Sequence, residues 1–151
     1  MLVAVLIAAQ APAASLHVAI GDGSEATVQV VNDRRTGYRL TVDCIIRCAR
    51  PLHFTMPVGD SPMGLVDLDR DGLVYSVWGT GCCYVVRVWR VTSGGVIKIL
   101  ETGSRYLPSL ITTPEITVVT YMRPTDADGQ ETSTSPRPLT WTYRQGRFER
   151  S

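Results

Sequence analysis

Asp67, Asp69 and Asp71 stand at alternate positions closed by Gly72, which makes residues 67–72 the densest run of hard oxygen donors in the chain. Calcium prefers such donors: alternate carboxylates in a tight loop converge on one ion, and backbone carbonyls complete the shell. Gly72 permits the change of direction that turns the next carbonyl inward. The local set is incomplete. Tyr75 holds the ninth position, and Trp78 holds the twelfth, where a helix-flanked loop needs a bidentate Glu, so this is not an EF-hand. Asp60 and Asp43 are the nearest acidic residues that folding could bring in. The competing reading is a solvated acidic β-turn, which Arg70 favours by offsetting the local charge. A second acidic stretch, Asp126-Ala127-Asp128-Gly129, has fewer carboxylates and reads as a turn alone.

Four cysteines, Cys44, Cys48, Cys82 and Cys83, form an even set, which in an exported chain favours disulfides. In one straight strand the α-carbons of Cys44 and Cys48 would lie roughly 13 Å apart, beyond disulfide reach. They can pair with each other only if residues 45–47 turn. Cys82 and Cys83 would point to opposite faces of a strand, and a bridge between neighbours distorts the peptide. Cross-linking of the 44/48 segment to the 82/83 segment is therefore expected. A four-thiolate zinc site is disfavoured, because adjacent thiolates chelate one tetrahedral ion poorly.

Other chemistries find little support. His17 and His53 are the only histidines, and neither lies in a nucleophile motif. The glycines punctuate strands and form no phosphate-binding loop or dinucleotide fingerprint. No pair among the Asp and Glu residues stands out as a glycosidase pair. The expectation is a chain that is not an enzyme and has no catalytic or organic-cofactor residues.

The elements that must position these groups are strands. Alternation at period two recurs through the chain, with no long stretch of helical periodicity. Residues 26–31 read as a strand, and Tyr38, Leu40, Val42 and Cys44 alternate with Arg39, Thr41 and Asp43 to give a second with a clean inner face. Residues 51–56 suit an edge strand, since Pro51 and Pro57 cannot donate to a ladder. Strands at 63–68 and 73–78 flank the acidic loop. A long strand at 83–91 turns through Ser93-Gly94-Gly95 into 96–101. Residues 115–122 form another strand, and 139–144 pairs with 147–149 across Gln145-Gly146. Residues 123–138 read as a long exposed excursion, and 105–110 as a short helical turn. Trp78, Trp89 and Trp141 fall in strands, where core packing is their expected role. The fold class is all-β, an antiparallel hairpin-rich single domain built as a small sandwich, an open barrel or propeller-blade-like sheets.

Residues 1–14 form a short apolar run ending in small residues, with Ala11-Pro12-Ala13 fitting an A-x-A cleavage pattern, so they read as a signal peptide before a β-domain at 15–151. Only the α-amino group of Met1 supplies its positive charge. The run is too short to span a bilayer, and no transmembrane segment follows. A periplasmic or secreted location is expected. The formal net charge is +1, from 15 basic and 14 acidic residues, so no strong field favours nucleic acid or anionic membrane.

Residues 63–92, with the acidic loop, the strand after it and Gly79-Thr80-Gly81-Cys82-Cys83, resemble the D-x-D-G-D-G loop and following strand of FG-GAP/VCBS-like repeat proteins. Tyr143-Arg144-Gln145-Gly146-Arg147-Phe148 is similar to a Tyr-x-x-Gly-x-Phe hairpin common among them. Arg70 and Tyr75 depart from the pattern. The resemblance implies a calcium-stabilised strand-loop-strand unit with ligands at Asp67, Asp69, Asp71 and the Leu73 carbonyl. The functional expectation is an exported binding or interaction module with a protein or glycan partner. The alternative is a periplasmic inhibitor or immunity protein against a cell-wall hydrolase, using residues 123–138 as its contact element. A third class is a hydrolase with an unrecognised site.

Overall fold

The computed structural model describes residues 15–151 except 22, 34, 36, 49, 50, 69, 70, 133 and 134. The expected signal peptide therefore lies outside the described residues, as do Asp69 and Arg70. The chain is all-β, and no described residue is helical. Among the described residues no helix is long and apolar enough to cross a membrane.

Among the described residues, three four-stranded antiparallel sheets follow one another along the chain. The first contains β1 (Ser15–Ala19), β2 (Glu25–Asp33), β3 (Gly37–Ile46) and β4 (Leu52–Pro57). The middle sheet contains β5 (Ser61–Asp67), β6 (Leu73–Gly79), β7 (Tyr84–Thr92) and β8 (Gly95–Ser104). The third contains β9 (Ser109–Ile111), β10 (Thr117–Met122), β11 (Arg137–Arg144) and β12 (Arg147–Arg150). In each sheet the spatial order follows the sequence order, and none closes into a barrel. Consecutive hairpins produce this pattern because antiparallel neighbours need only short connections.

The middle sheet is covered on both faces. Val74, Trp78 and Trp89 pack with Val28, Leu40 and Val42 of the first sheet. Tyr75, Val77 and Val88 pack with Leu110, Val118 and Tyr143 of the third. A strand covered on both sides loses the polar half of its alternation, and β6 is buried at six consecutive residues, Leu73 to Trp78. Its one polar residue, Ser76, is fully buried: its hydroxyl accepts the indole N–H groups of Trp78 at 2.9 Å and Trp89 at 3.1 Å and donates to the Arg87 carbonyl at 2.9 Å. One hydroxyl thus satisfies two buried donors that would otherwise oppose packing.

Two arginines of β7 tie the layers together. Arg87, on the face toward the first sheet, donates to Glu101 at 2.7 Å and Asp60 at 3.3 Å. On the opposite face Arg90 donates to the Tyr143 hydroxyl and the Gly146 carbonyl, each at 2.7 Å, and so holds the β11–β12 turn. The expected helical turn at 105–110 is instead a bend leading into β9. It forms because the Arg105 N–H binds the Tyr121 carbonyl at 2.7 Å and commits the chain to the third sheet.

Candidate binding site

The acidic loop and the cysteine pair occupy opposite ends of β6, roughly 20 Å apart at the rise of a strand. At the first end the Leu68 N–H donates to the Leu73 carbonyl at 3.0 Å, closing the β5–β6 hairpin over residues 69–72. Asp71 and Gly72 both take positive φ, 52° and 68°. The Gly72 carbonyl accepts the Val91 N–H at 2.9 Å, and a Cβ on Gly72 would run into the Val91 backbone. Of the expected calcium ligands, Asp67 ends β5 and Asp71 sits in the turn, while Asp69 lies outside the described residues. The Leu73 carbonyl already serves Leu68. Asp60 and Asp43 do not turn to the loop: Asp60 binds Arg87, and Asp43 binds His53 across the first sheet. Among the described residues no three His, Cys, Asp or Glu side chains gather where they could hold a metal.

The cysteines pair locally, Cys44 with Cys48 and Cys82 with Cys83, rather than across the two segments. Arg47 is the reason in the first case. Its φ of 56° turns the chain just past β3 and returns Cys48 to within 6.1 Å of Cys44, Cα to Cα. At the other end of β6 the Thr80 N–H binds the Cys83 carbonyl at 3.0 Å, and Gly81 adopts a φ of 96°, so the adjacent cysteines cap the β6–β7 turn.

This cap separates two depressions of about 300 and 310 Å³ that share Cys83 and Tyr84. The first is floored by Met63 and rimmed by Ser61, Gly79 and Gly81. The second is lined by Tyr84 and Met122, and Arg105, Arg123 and Glu131 are its charged residues. Ser104 positions this charged edge. Its buried hydroxyl accepts the Tyr121 N–H at 2.9 Å and donates to the Tyr106 carbonyl at 2.6 Å, which fixes Arg105 between them. Arg105 Nη1 then meets Cys83 Sγ at 3.3 Å. Arg123 Nη2 donates to the Tyr106 hydroxyl at 3.0 Å, and that bond raises the already high pKa of Arg123.

Glu131 reaches this edge through an ordered excursion. Asp126 Oδ1 accepts the N–H groups of Asp128 at 3.0 Å and Gln130 at 2.9 Å, confirming the second acidic stretch as a turn, and Thr125 pairs with Glu131. The Glu131 carboxylate lies 3.5 Å from Arg105 and 3.6 Å from Arg123. Water reaches both pairs and weakens them. Arg105, Arg123 and Glu131 stand on separate segments, and no local spacing marks them as a group.

The histidines do not form a comparable site. His53 Nδ1 meets the Asp43 carboxylate and Nε2 the Thr55 hydroxyl at 3.3 Å, the order of groups in a nucleophile triad. The imidazole is 72 % exposed, so water competes for each partner. His17 lies in the same cross-sheet row, opposite Thr27. Comparison with protein-family models, curated proteins and solved structures found no match.

Proposed function

We propose that the chain is a ligand-binding or interaction module that recognises its partner at the cysteine-capped end of the middle sheet. The observation that carries this reading is the pair of depressions meeting on Cys83 and Tyr84. Ligand sites are concave, largely apolar and edged by a few placed polar groups. The second depression has that composition, and its polar edge is fixed by hydrogen bonds to buried Ser104. Screening a fragment library against the oxidised chain by amide NMR tests the reading. Shifts confined to residues 81–85, 104–105 and 122–123 are expected. Binding only on the open face of the first sheet would overturn it.

Two further parts of the proposal concern setting and stability. Export to an oxidising compartment is supported by the absence of free cysteines among those described and by the signal-like sequence of residues 1–14. The acidic loop is proposed to bind calcium for stability, on the resemblance of residues 63–92 to FG-GAP/VCBS-like repeats. Its test is a thermal melt in millimolar calcium: the midpoint should rise for the parent chain and stay fixed for Asp69→Asn. An unchanged parent midpoint would remove the ion from the proposal.

A further inference from the structure

We propose that the depression between Tyr84 and Met122 takes a small carboxylic acid with an apolar body, and that Glu131 is its built-in competitor. The inference rests on the binding reading above and gives that site its ligand class. Arg105, just past β8, and Arg123, just past β10, bring two guanidinium groups to one oxygen, Glu131 Oε2, at 3.5 and 3.6 Å. Charge-assisted hydrogen bonds are shorter, about 2.7–2.9 Å. Glu131 is therefore held by charge rather than by formed hydrogen bonds, and it is readily displaced.

The charge count points the same way. Two arginines and one glutamate are the charged residues lining this depression, which leaves a surplus of one positive charge. That surplus favours an anionic ligand, a carboxylate that takes the place of Glu131 leaves the balance unchanged, and the planar guanidinium fork matches carboxylate geometry. When the ligand enters, Glu131 moves into water without burial of its charge, since its side chain is already 46 % exposed.

The body of the ligand has apolar ground to occupy. Tyr84 packs on the side of the third sheet, and it lines the depression together with Met122, whose flexible thioether adapts to varied shapes. Tyr106 stands beside Arg123, its ring centroid 6.0 Å from the guanidinium, and Leu107 follows it in the chain. With Met122 they make three of the five large hydrophobic residues left exposed among the described residues. Such a concentration of exposed apolar surface beside unneutralised charge fits an amphipathic acid better than a purely polar ligand.

The test compares phenylbutyrate with phenylbutanamide, which keeps the apolar body and removes the charge. Both are titrated into the oxidised full chain by calorimetry and amide NMR. The acid should shift Tyr84, Val85, Met122 and Arg123 and bind at least about tenfold more tightly than the amide. Glu131→Gln should tighten the acid by about threefold or more and leave the amide unchanged, while Arg123→Gln should weaken the acid by about tenfold. Thermal melts of both variants confirm that folding is intact. Equal binding of acid and amide at these residues would overturn the carboxylate assignment but leave the cleft as a binding site. Shifts from neither probe would overturn both readings, and weaker acid binding by Glu131→Gln would overturn the competitor role.

Discussion

The two ends of β6 solve the same backbone problem with opposite results. Gly72 and Gly81 both carry positive φ, 68° and 96°. At Gly72 the space where a side chain would stand is filled by the Val91 backbone, whereas at Gly81 nothing lies within 4 Å. The acidic-loop end is closed by main-chain hydrogen bonds to β7 and has no room to spare. The cysteine end turns through a disulfide cap and leaves two depressions beside it. Close packing at Gly72 and open volume at Gly81 thus lie at opposite ends of one strand, and the binding reading depends on that division.

An alanine at each glycine should separate the two ends most strongly. Left-handed backbone costs a non-glycine residue about 1–2 kcal/mol wherever it occurs. Gly72→Ala adds a collision with the Val91 main chain, which cannot swing aside as a side chain can, so the total loss should reach about 3 kcal/mol. Gly81→Ala should lose only about 1 kcal/mol. Urea denaturation of the two variants measures the difference. Equal losses would mean that the Gly72 end is no more tightly packed than the cysteine end.

Much of this architecture is legible in the residues. The alternation of Leu40 and Val42 with Arg39 and Thr41 identifies the inner face of β3, and both apolar residues are fully buried. Gln145-Gly146 marks a hairpin because both residues must take positive φ, and both do, at 49° and 83°. Residues 73–78 read as a strand after the acidic loop, yet the sequence does not say that sheets cover both of its faces, nor which covers which. That assignment depends on contacts between distant segments. The disulfide pairing turned on the backbone of one residue, Arg47, which no spacing rule captures. The candidate cleft was the least legible feature, since Arg105, Arg123 and Glu131 meet only after β8 docks against β10. Residues 105–110 were expected to form a helical turn and instead make that docking joint.

The two disulfides differ between the ends in the same way. Both close short loops, so neither should stabilise the chain greatly through loop entropy. Replacing Cys44 and Cys48 by serine opens a loop with a sequence separation of 4 and should cost about 2 kcal/mol. Replacing Cys82 and Cys83 by serine should cost less, about 1 kcal/mol. Function should follow the reverse order. The first replacement leaves the depressions unchanged, while the second breaks the bridge at the residue they share, Cys83, and should weaken fragment binding at Tyr84. Urea denaturation and the amide NMR screen, run on the same two variants, separate the effects. Loss of binding in the Cys44/Cys48 variant alone would place the site elsewhere.

The smallest expected effect lies between the two ends, at Glu101. Hydrogen bonds from Lys98 and then Arg87 hold its carboxyl below the ordinary value of 4.5. A folded pKa below the unfolded one contributes stability that is present above 4.5 and lost as the pH falls through the depressed value. The Glu101 side chain is 43 % exposed, so solvent screening limits the contribution to roughly a few tenths of a kcal/mol. Glu101→Gln keeps an acceptor for Arg87 and removes the charge. The variant should therefore be slightly less stable than the parent at pH 7, with the gap closing below pH 4.5. Denaturation midpoints across that window measure the closure. Amide shifts at Gly81 and Tyr84 should not follow the titration, because Glu101 couples to Arg87 and Asp60 on the face toward the first sheet, whereas the proposed carboxylate site has its own charges at Arg105, Arg123 and Glu131. Movement of those shifts with Glu101 would tie the binding end to the centre of the sheet and weaken the division between the two ends of β6.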